Sequence, residues 1–169
     1  MNRVKIISEL RRNREVFSDL LLPPVKEMTN YRPAENKWNL LEIVCHLFDE
    51  ERLDFRARMR HIIEGTGDSI PPIDPSGWVK IHKYSERDYR NVAEDFLNER
   101  GISLEWLETI AEEDLGRSFD HPVFGNVTAG HFLYNWLAHD YLHIRQINSL
   151  KYSYLKEFGN QELKYAGDW

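Results

Sequence analysis

The sequence has a single cysteine, Cys45, so the chain cannot form an internal disulfide. One unpaired cysteine is typical of proteins in a reducing compartment, and we therefore expect a cytoplasmic protein. The first residues show no apolar run followed by a cleavage site, so we expect no signal peptide. No stretch approaches the roughly 20 apolar residues that a membrane-spanning helix needs, so we expect no membrane partner.

The sequence also lacks an excess of positive charge and a glycine-rich nucleotide loop. Its 28 acidic residues outnumber 22 Lys and Arg, which gives a formal net charge of -6. A dedicated nucleic-acid binder normally carries a basic face, so we expect no nucleic-acid partner. The G-T-G stretch at 65–67 does not have the spacing of a dinucleotide-binding fingerprint.

Four segments do carry a strong pattern, with apolar residues recurring every three or four positions. Pro23 and Pro24 end the first of these segments. Because no segment alternates like a strand, the pattern predicts an all-α protein, a four-helix bundle formed by a single domain over residues 1–169. The predicted helices cover about 2–22, 39–64, 85–112 and 128–150.

Local signals place the helix ends. N-L-L-E indicates a capping box, in which Asn39 caps the second helix and the side chain of Glu42, three residues later, bonds back to the backbone of Asn39. Ser85 is the candidate cap of the third helix, and Thr128 opens the fourth. Gly101 is a weak point in the third helix, where we expect a bend.

Two segments outside the helices are candidates for roles near a site. The Pro- and Gly-rich stretch 65–84 is long for a turn, so we expect a crossover between distant helix ends or a lid. Trp78 lies on this stretch and is a candidate substrate contact. The aromatic tail, 152–169, is expected to pack on the bundle or on a second subunit.

Two of the seven histidines have the spacing of a shared metal site. His139 and His143 lie four positions apart, which on a helix is an offset of about 40° and about 6 Å. They could therefore bind one ion, but the spacing alone is a weak signal, and two partly buried imidazoles bonded to backbone or carboxylate are the commoner explanation of it. Asp140 stands where a zinc peptidase has glutamate in H-E-x-x-H, which argues against that class.

His46 strengthens the metal hypothesis. It lies within the second helix on a largely apolar face, where an imidazole without a partner pays a desolvation cost. Joining the other pair would make a three-histidine site, which suits zinc, nickel, iron or cobalt and leaves positions open for water or substrate. The inner face of this helix is predicted to contain Ile43, His46, Leu47, Glu50, Leu53 and Ala57.

Carboxylates follow His46 closely in sequence. Asp49 and Glu50 lie one turn further on, where a carboxylate can orient a ligating imidazole or move a proton. We interpret Glu51 and Asp54 as surface charges. Of the remaining ionisable groups, none is predicted to be a nucleophile, since Cys45 is expected to be a small core residue.

Two further histidines have less defined roles. His131 lies two turns before His139 and could border the same cleft as a substrate contact, although a hydrogen-bonded structural role is equally compatible. His82 lies in a predicted loop and is expected to be solvated.

Two stretches together resemble the DinB/YfiT-like family of metal-dependent proteins. One is K-W-N-L-L-E-I-V-C-H-L-F-D-E-E at 37–51, in which Asn39 replaces the commoner serine or threonine. The other, 121–147, contains H-D-Y-L-H-I-R-Q-I. The resemblance extends over nearly the whole chain in order and spacing.

The resemblance implies an up-down-down-up bundle with a long crossover between its second and third helices. It places the metal ligands at His46, His139 and His143 and implies a homodimer. The characterised branches of the family are thiol-dependent transferases and a mycothiol-dependent isomerase. By this resemblance the co-substrate would be a low-molecular-weight thiol, and its partner a small electrophile.

Two functions therefore remain open from the sequence. The first is a metal-dependent enzyme, in which Arg145 could neutralise a carboxylate of a small-molecule substrate. The second is a non-catalytic, stress-associated metal-binding or interaction module. An open pocket above the ion would favour the enzyme, whereas a cleft filled by the tail would favour the second.

Overall fold

The computed structural model describes residues 2–65, 72–121 and 123–167. The α-helices within those ranges are α1 (Arg3–Leu21), α2 (Lys26–Thr29), α3 (Leu40–Asp49), α4 (Arg56–Glu64), α5 (Pro75–Ile81), α6 (Tyr89–Thr109) and α7 (Ala129–Phe158). A π-helical segment, Glu50–Phe55, joins α3 directly to α4. Short 3-10 turns lie at Tyr84–Glu86, Glu113–Gly116 and Lys164–Ala166.

The two halves of the hydrophobic core reveal the directions of the long helices. One half combines the end of α1, the start of α3, the start of α6 and the end of α7. The other combines the start of α1, α4, the end of α6 and the start of α7. Therefore α1 and α7 run one way, and α3–α4 and α6 run the other. The predicted up-down-down-up four-helix bundle is confirmed, with its crossover between α4 and α6.

The helix starts follow from local hydrogen bonds. The capping box is present, because the backbone N–H of Glu42 donates to Oδ1 of Asn39 at 2.9 Å and Oε2 of Glu42 accepts from the backbone N–H of Asn39 at 2.9 Å. The side chain of Thr128 caps α7 as expected. The Ser85 prediction was wrong: Ser85 lies in a 3-10 turn, and Asp88 caps α6 instead. The α-helix then continues through Gly101.

A short hairpin precedes α7, although the sequence predicted no sheet. Strands β1 (Ser118–His121) and β2 (Gly125–Thr128) pair antiparallel, with Ser118 opposite Thr128. Within the two strands Val127 alone is buried, so an apolar alternation could not develop. The hairpin was missed for that reason.

The last bundle helix is longer than predicted, because α7 continues to Phe158 rather than ending near residue 150. Aromatic packing supports the extension: the ring of Tyr31 contacts Tyr154 and Phe158 edge-on, at centroid distances of 5.2 and 5.8 Å. The first part of the predicted tail is therefore helical. Its last two residues, 168–169, lie outside the described residues.

Part of the predicted crossover or lid, 66–71, also lies outside the described residues. The remainder contains α5, capped by Asp74, and packs against α3 through the buried Trp78 and Tyr84. None of the helices in the described ranges is both long enough and apolar enough to cross a membrane.

Candidate metal centre

Three histidines from two bundle helices meet at one point. Nε2 of His139 lies 3.3 Å from Nε2 of His46 and 3.0 Å from Nε2 of His143. One ring nitrogen from each residue falls within 4.8 Å of the others. The expectation that the second and fourth bundle helices bring these imidazoles together is therefore met by the geometry.

Aromatic rings enclose the cluster on two sides. The ring of Trp38 packs on His46 at a centroid distance of 4.8 Å, and Phe55 packs on His139 at 5.1 Å. His46 and His143 are buried, at 5% and 8% exposure. Apolar surroundings of this kind weaken the screening by water and strengthen electrostatic interactions inside.

Burial keeps the imidazoles neutral. Desolvation, helped by the neighbouring His143, lowers the pKa of His46 to about 3. Desolvation likewise lowers the pKa of His139 to about 2, with the other two histidines adding to the effect. It also lowers the pKa of His143. At neutral pH all three rings can therefore offer a nitrogen lone pair, which is the form that binds metals.

The donor set fits a divalent ion. Two nitrogens that each lie 2.0–2.1 Å from one ion, at angles between octahedral and tetrahedral values, are separated by about 2.8–3.4 Å. The observed 3.3 and 3.0 Å fall in that range. Nδ1 of His46 is buried and has no hydrogen-bond partner among the described residues. Three buried imidazoles that converge on one point pay a desolvation cost unless their ring nitrogens find a partner, and a shared cation would be that partner.

Glu50 is the carboxyl group closest to the free ring nitrogen of His46. Its Oε1 lies 3.8 Å from Nδ1 of His46, which is too long for a hydrogen bond but close enough for an electrostatic interaction. Burial, reinforced by the nearby Asp54, raises the pKa of Glu50 well above its usual range. The group can therefore hold a proton beside the histidines at neutral pH.

The prediction that Glu51 and Asp54 are surface charges was wrong, since they are only 1% and 6% exposed. The π-helical segment explains this error. Its wider turn advances the inner face by an extra residue, so that Phe55 and Met59 point inwards. Two residues that were expected on that face, Leu53 and Ala57, are exposed instead.

A buried ionic network lies beside the histidines and connects the four long helices. The guanidinium of Arg100 donates to both carboxylate oxygens of Glu51 at 2.9 Å and to both of Asp140 at 2.7 Å. Asn13 also donates to Asp140, and the indole of Trp136 donates to Glu51. Because Asp140 directly follows His139, the network fixes the rotation of α7 that turns its histidines inwards.

Asp49 forms hydrogen bonds to two residues of the crossover segment. Its Oδ2 accepts from the hydroxyl of Tyr84 at 2.8 Å and lies 2.6 Å from Nδ1 of His82, and its Oδ1 accepts from Arg52 at 2.9 Å. His82, which was expected to be solvated, is half-buried, with its side chain 30% exposed and its ring nitrogen next to Asp49. His82 and Tyr84 lie 33 and 35 residues after Asp49 along the chain, and no pattern in the sequence indicated that they contact it.

A cleft of about 670 Å³ opens beside His143. The segment before α3, the start of α3 and the C-terminal half of α7 form its walls. Arg145 is exposed and lines this cleft, and its role as a substrate contact stays a prediction.

The other two predicted substrate contacts lie elsewhere. Trp78 is buried in the core, with its ring stacked on His82 at a centroid distance of 5.8 Å. His131 is exposed near the start of α7, about 12 Å along the helix from His139. Neither is among the described residues that line the cleft.

An up-down-down-up bundle with three inward-facing histidines defines a class of helical proteins with a potential metal site between two helices. Comparison with known proteins identifies the family. The model of the DinB superfamily matches residues 9–147, which is most of the chain. The chain belongs to the DinB superfamily.

Two similar proteins carry descriptions that name a metal-dependent hydrolase. A candidate metal-dependent hydrolase of Oceanobacillus iheyensis is 25% identical over 123 residues, covering 72% of this chain and 69% of the relative. YfiT from Bacillus subtilis is described as a probable metal-dependent hydrolase with an unusual four-helix bundle topology. It shares the fold at a TM-score of 0.78 and 18% identity, over 93% of this chain and 87% of YfiT.

Proposed function

We propose that this protein is a divalent-metal-dependent enzyme whose ion is held by His46, His139 and His143. Zinc, nickel, iron and cobalt all suit three neutral imidazoles. The proposal is supported by the Nε2 separations of 3.0 and 3.3 Å and by the depressed histidine pKa values.

The observation that carries an enzymatic role is the open cleft beside His143. A closed site filled by the tail would have favoured the non-catalytic, stress-associated binding module. The described residues that line the cleft belong to the segment before α3, to α3 and to α7. Ser153 of the predicted tail lines one wall from within α7, but no described residue beyond the end of α7 lines or fills the cleft. A small molecule can therefore approach His143, one of the three histidines, from solvent.

A divalent ion, when bound at such a site, lowers the pKa of a thiol or water that occupies a remaining position. The chain supplies the rest of the machinery. Trp38 and Phe55 exclude bulk water from two sides of the histidines. Glu50, with its raised pKa, is placed to hold a proton near Nδ1 of His46 and to exchange it with a substrate.

For the reaction we propose transfer of a low-molecular-weight thiol to a small electrophile. The thiol would lose its proton to solvent, its sulfur would bond to the electrophilic carbon, and the bond from that carbon to its leaving group would break. Glu50, which holds a proton at neutral pH, would give that proton to the departing group and regain one from solvent. Hydrolysis by activated water is the second candidate, and the descriptions of both relatives favour it. The two reactions differ only in the nucleophile that enters the cleft.

The other predicted site residues have unequal support. Arg145 remains a proposed substrate contact because it lines the cleft. Asp49 remains a candidate for orienting the site, although its three hydrogen bonds to the crossover and to Arg52 favour an anchoring role. For Trp78 and His131 a substrate contact would require movement of α5 or of the substrate along α7.

A homodimer and a cytoplasmic location remain proposals as well. Two exposed side chains, Tyr134 and Tyr141, lie on the outer face of α7 and could contribute to a subunit interface. Analytical ultracentrifugation would measure the mass directly, and a single species near the chain mass of 20.1 kDa would contradict the homodimer.

The function is tested by metal analysis of protein purified without added metal, followed by a paired activity screen. One arm offers several low-molecular-weight thiols with an electrophile such as monobromobimane, and the other offers ester and amide substrates without thiol. We expect thiol-dependent turnover that chelation abolishes and metal restores. Turnover that needs no thiol would favour hydrolysis, and a metal-loaded protein inactive in both arms would support the non-catalytic module.

A further inference from the structure

The cleft beside His143 differs from the rest of the protein in its charge. The whole chain carries a formal net charge of -6. Yet the charged groups among the described residues that line the cleft are Lys37 and Arg145, and no carboxylate lines it in that part of the chain. A binding surface with two cations in an acidic protein is selective for negative charge.

Both cations are available to a ligand. Neither Lys37 nor Arg145 forms an ion pair with any residue in the described ranges, although the exposed arginines Arg32 and Arg90 do. Two acids of the elements that form the cleft are already engaged, Glu42 with Arg32 and Asp140 with Arg100. Glu35 is exposed in the segment before α3, but it does not line the cleft and forms no ion pair with Lys37 or Arg145 in the described ranges. An anion that entered the cleft would therefore meet two cations without having to displace a carboxylate.

The rest of the lining suggests the remainder of the ligand. Apolar side chains contribute one part of the wall, namely Trp38, Ile43 and Leu142. Neutral hydrogen-bonding groups contribute another, including Gln146 and Ser149. A molecule of moderate size with an apolar body and one anionic end matches this distribution.

We propose that the cleft selects substrates that carry an anionic group, a carboxylate or a phosphate, bound between Lys37 and Arg145 while the reacting end lies at the histidines. This inference rests on the proposed function for the location of the reacting end. The anion subsite itself depends only on the two cations and the cleft, so it can be measured without metal.

Matched ligands of similar length test the subsite by isothermal titration calorimetry. The probes are 4-phenylbutyrate, 3-phenylpropyl phosphate, the neutral 4-phenyl-1-butanol and the cationic 4-phenylbutylamine, each titrated into metal-free and metal-loaded protein. We expect both anions to bind more tightly than the alcohol, and the amine most weakly. Raising the salt concentration should reduce the preference for anions, because partly exposed charges are screened.

Substitutions assign the preference to its residues. Lys37→Gln and Arg145→Gln should each weaken anion binding about two- to fivefold, as partly exposed charge pairs do, and leave binding of the alcohol unchanged. Arg145→Glu should reverse the order of the anions and the amine. Lys156→Gln on α7, which does not line the cleft, is the matched control and should change nothing.

The outcomes separate this inference from the proposed metal function. Anion preference in metal-free protein that depends on Lys37 and Arg145 supports the subsite, whatever metal analysis shows. Equal affinity for the anions and the alcohol, or anion binding unaffected by both Gln substitutions, overturns it. A carboxylate that binds more tightly than the phosphate, or the reverse, identifies which anionic group the substrate carries.

Discussion

Replacing Arg100 by methionine should come close to unfolding the protein. Arg100 is 1% exposed and binds two carboxylates, Glu51 and Asp140, each through both oxygens. Without it, two acids would be left in the core without a cation. Removing one partner of a buried ionic group costs about 3–5 kcal/mol, out of a typical total of about 5–15 kcal/mol.

Urea unfolding followed by circular dichroism at 222 nm would measure this loss for Arg100→Met. Arg90→Met is the control, because Arg90 and Glu94 form an ion pair at 3.9 Å with both side chains about half exposed. That substitution should cost less than about 1 kcal/mol. The reasoning would be refuted if the two variants lost similar stability, because the network would then contribute no more than a surface ion pair.

Three further predictions follow from the packing and from the pKa values. Metal-free protein should lose stability as pH falls from about 6.5 towards 3, because the unfolded chain binds protons at His46 and His139 that the folded chain does not; at pH 5 each contributes about 2 kcal/mol to the loss. Glu50, which is protonated in the folded protein, offsets part of this loss, because the unfolded chain protonates it only near pH 4.5. Urea titration at several pH values measures the net loss. Stability that is flat over that range would contradict the buried neutral rings. Trp78→Ala should lower stability by about 3–5 kcal/mol in the same assay, whereas a change below about 1 kcal/mol would mean that the ring does not pack in the core. Asp49→Asn should loosen the crossover, seen as faster hydrogen exchange at His82 and Tyr84 with α7 unchanged, and unchanged exchange would refute its anchoring role.

Features set by nearby residues could be predicted from the sequence. The capping box of Asn39 and Glu42 spans four positions, and both of its hydrogen bonds form. The spacing of His139 and His143 fixed their common face, and the poor fit of His46 to an apolar helix face indicated a partner. The bundle topology needed the resemblance to a known family, because helix periodicity alone does not determine helix order.

Features that depend on distant contacts could not be predicted. The burial of Glu51 and Asp54 follows from the π-helical turn, which the pattern of apolar residues did not indicate. In the sequence, Arg100 looks like any other charged residue of a long helix. Its burial depends on Glu51 and Asp140, which lie on two other helices and pair with it only in the folded protein. Charged residues are rarely buried without partners, so pairing must be known before burial can be predicted.

The central claim is that His46, His139 and His143 hold one divalent ion. Metal content per chain, measured on protein purified without added metal and again after reloading with zinc or nickel, tests it directly. We expect about one ion per chain in the parent protein and in His131→Ala, and loss of that ion in His46→Ala with the helical circular dichroism retained. Full metal content in a folded His46→Ala variant would contradict the account.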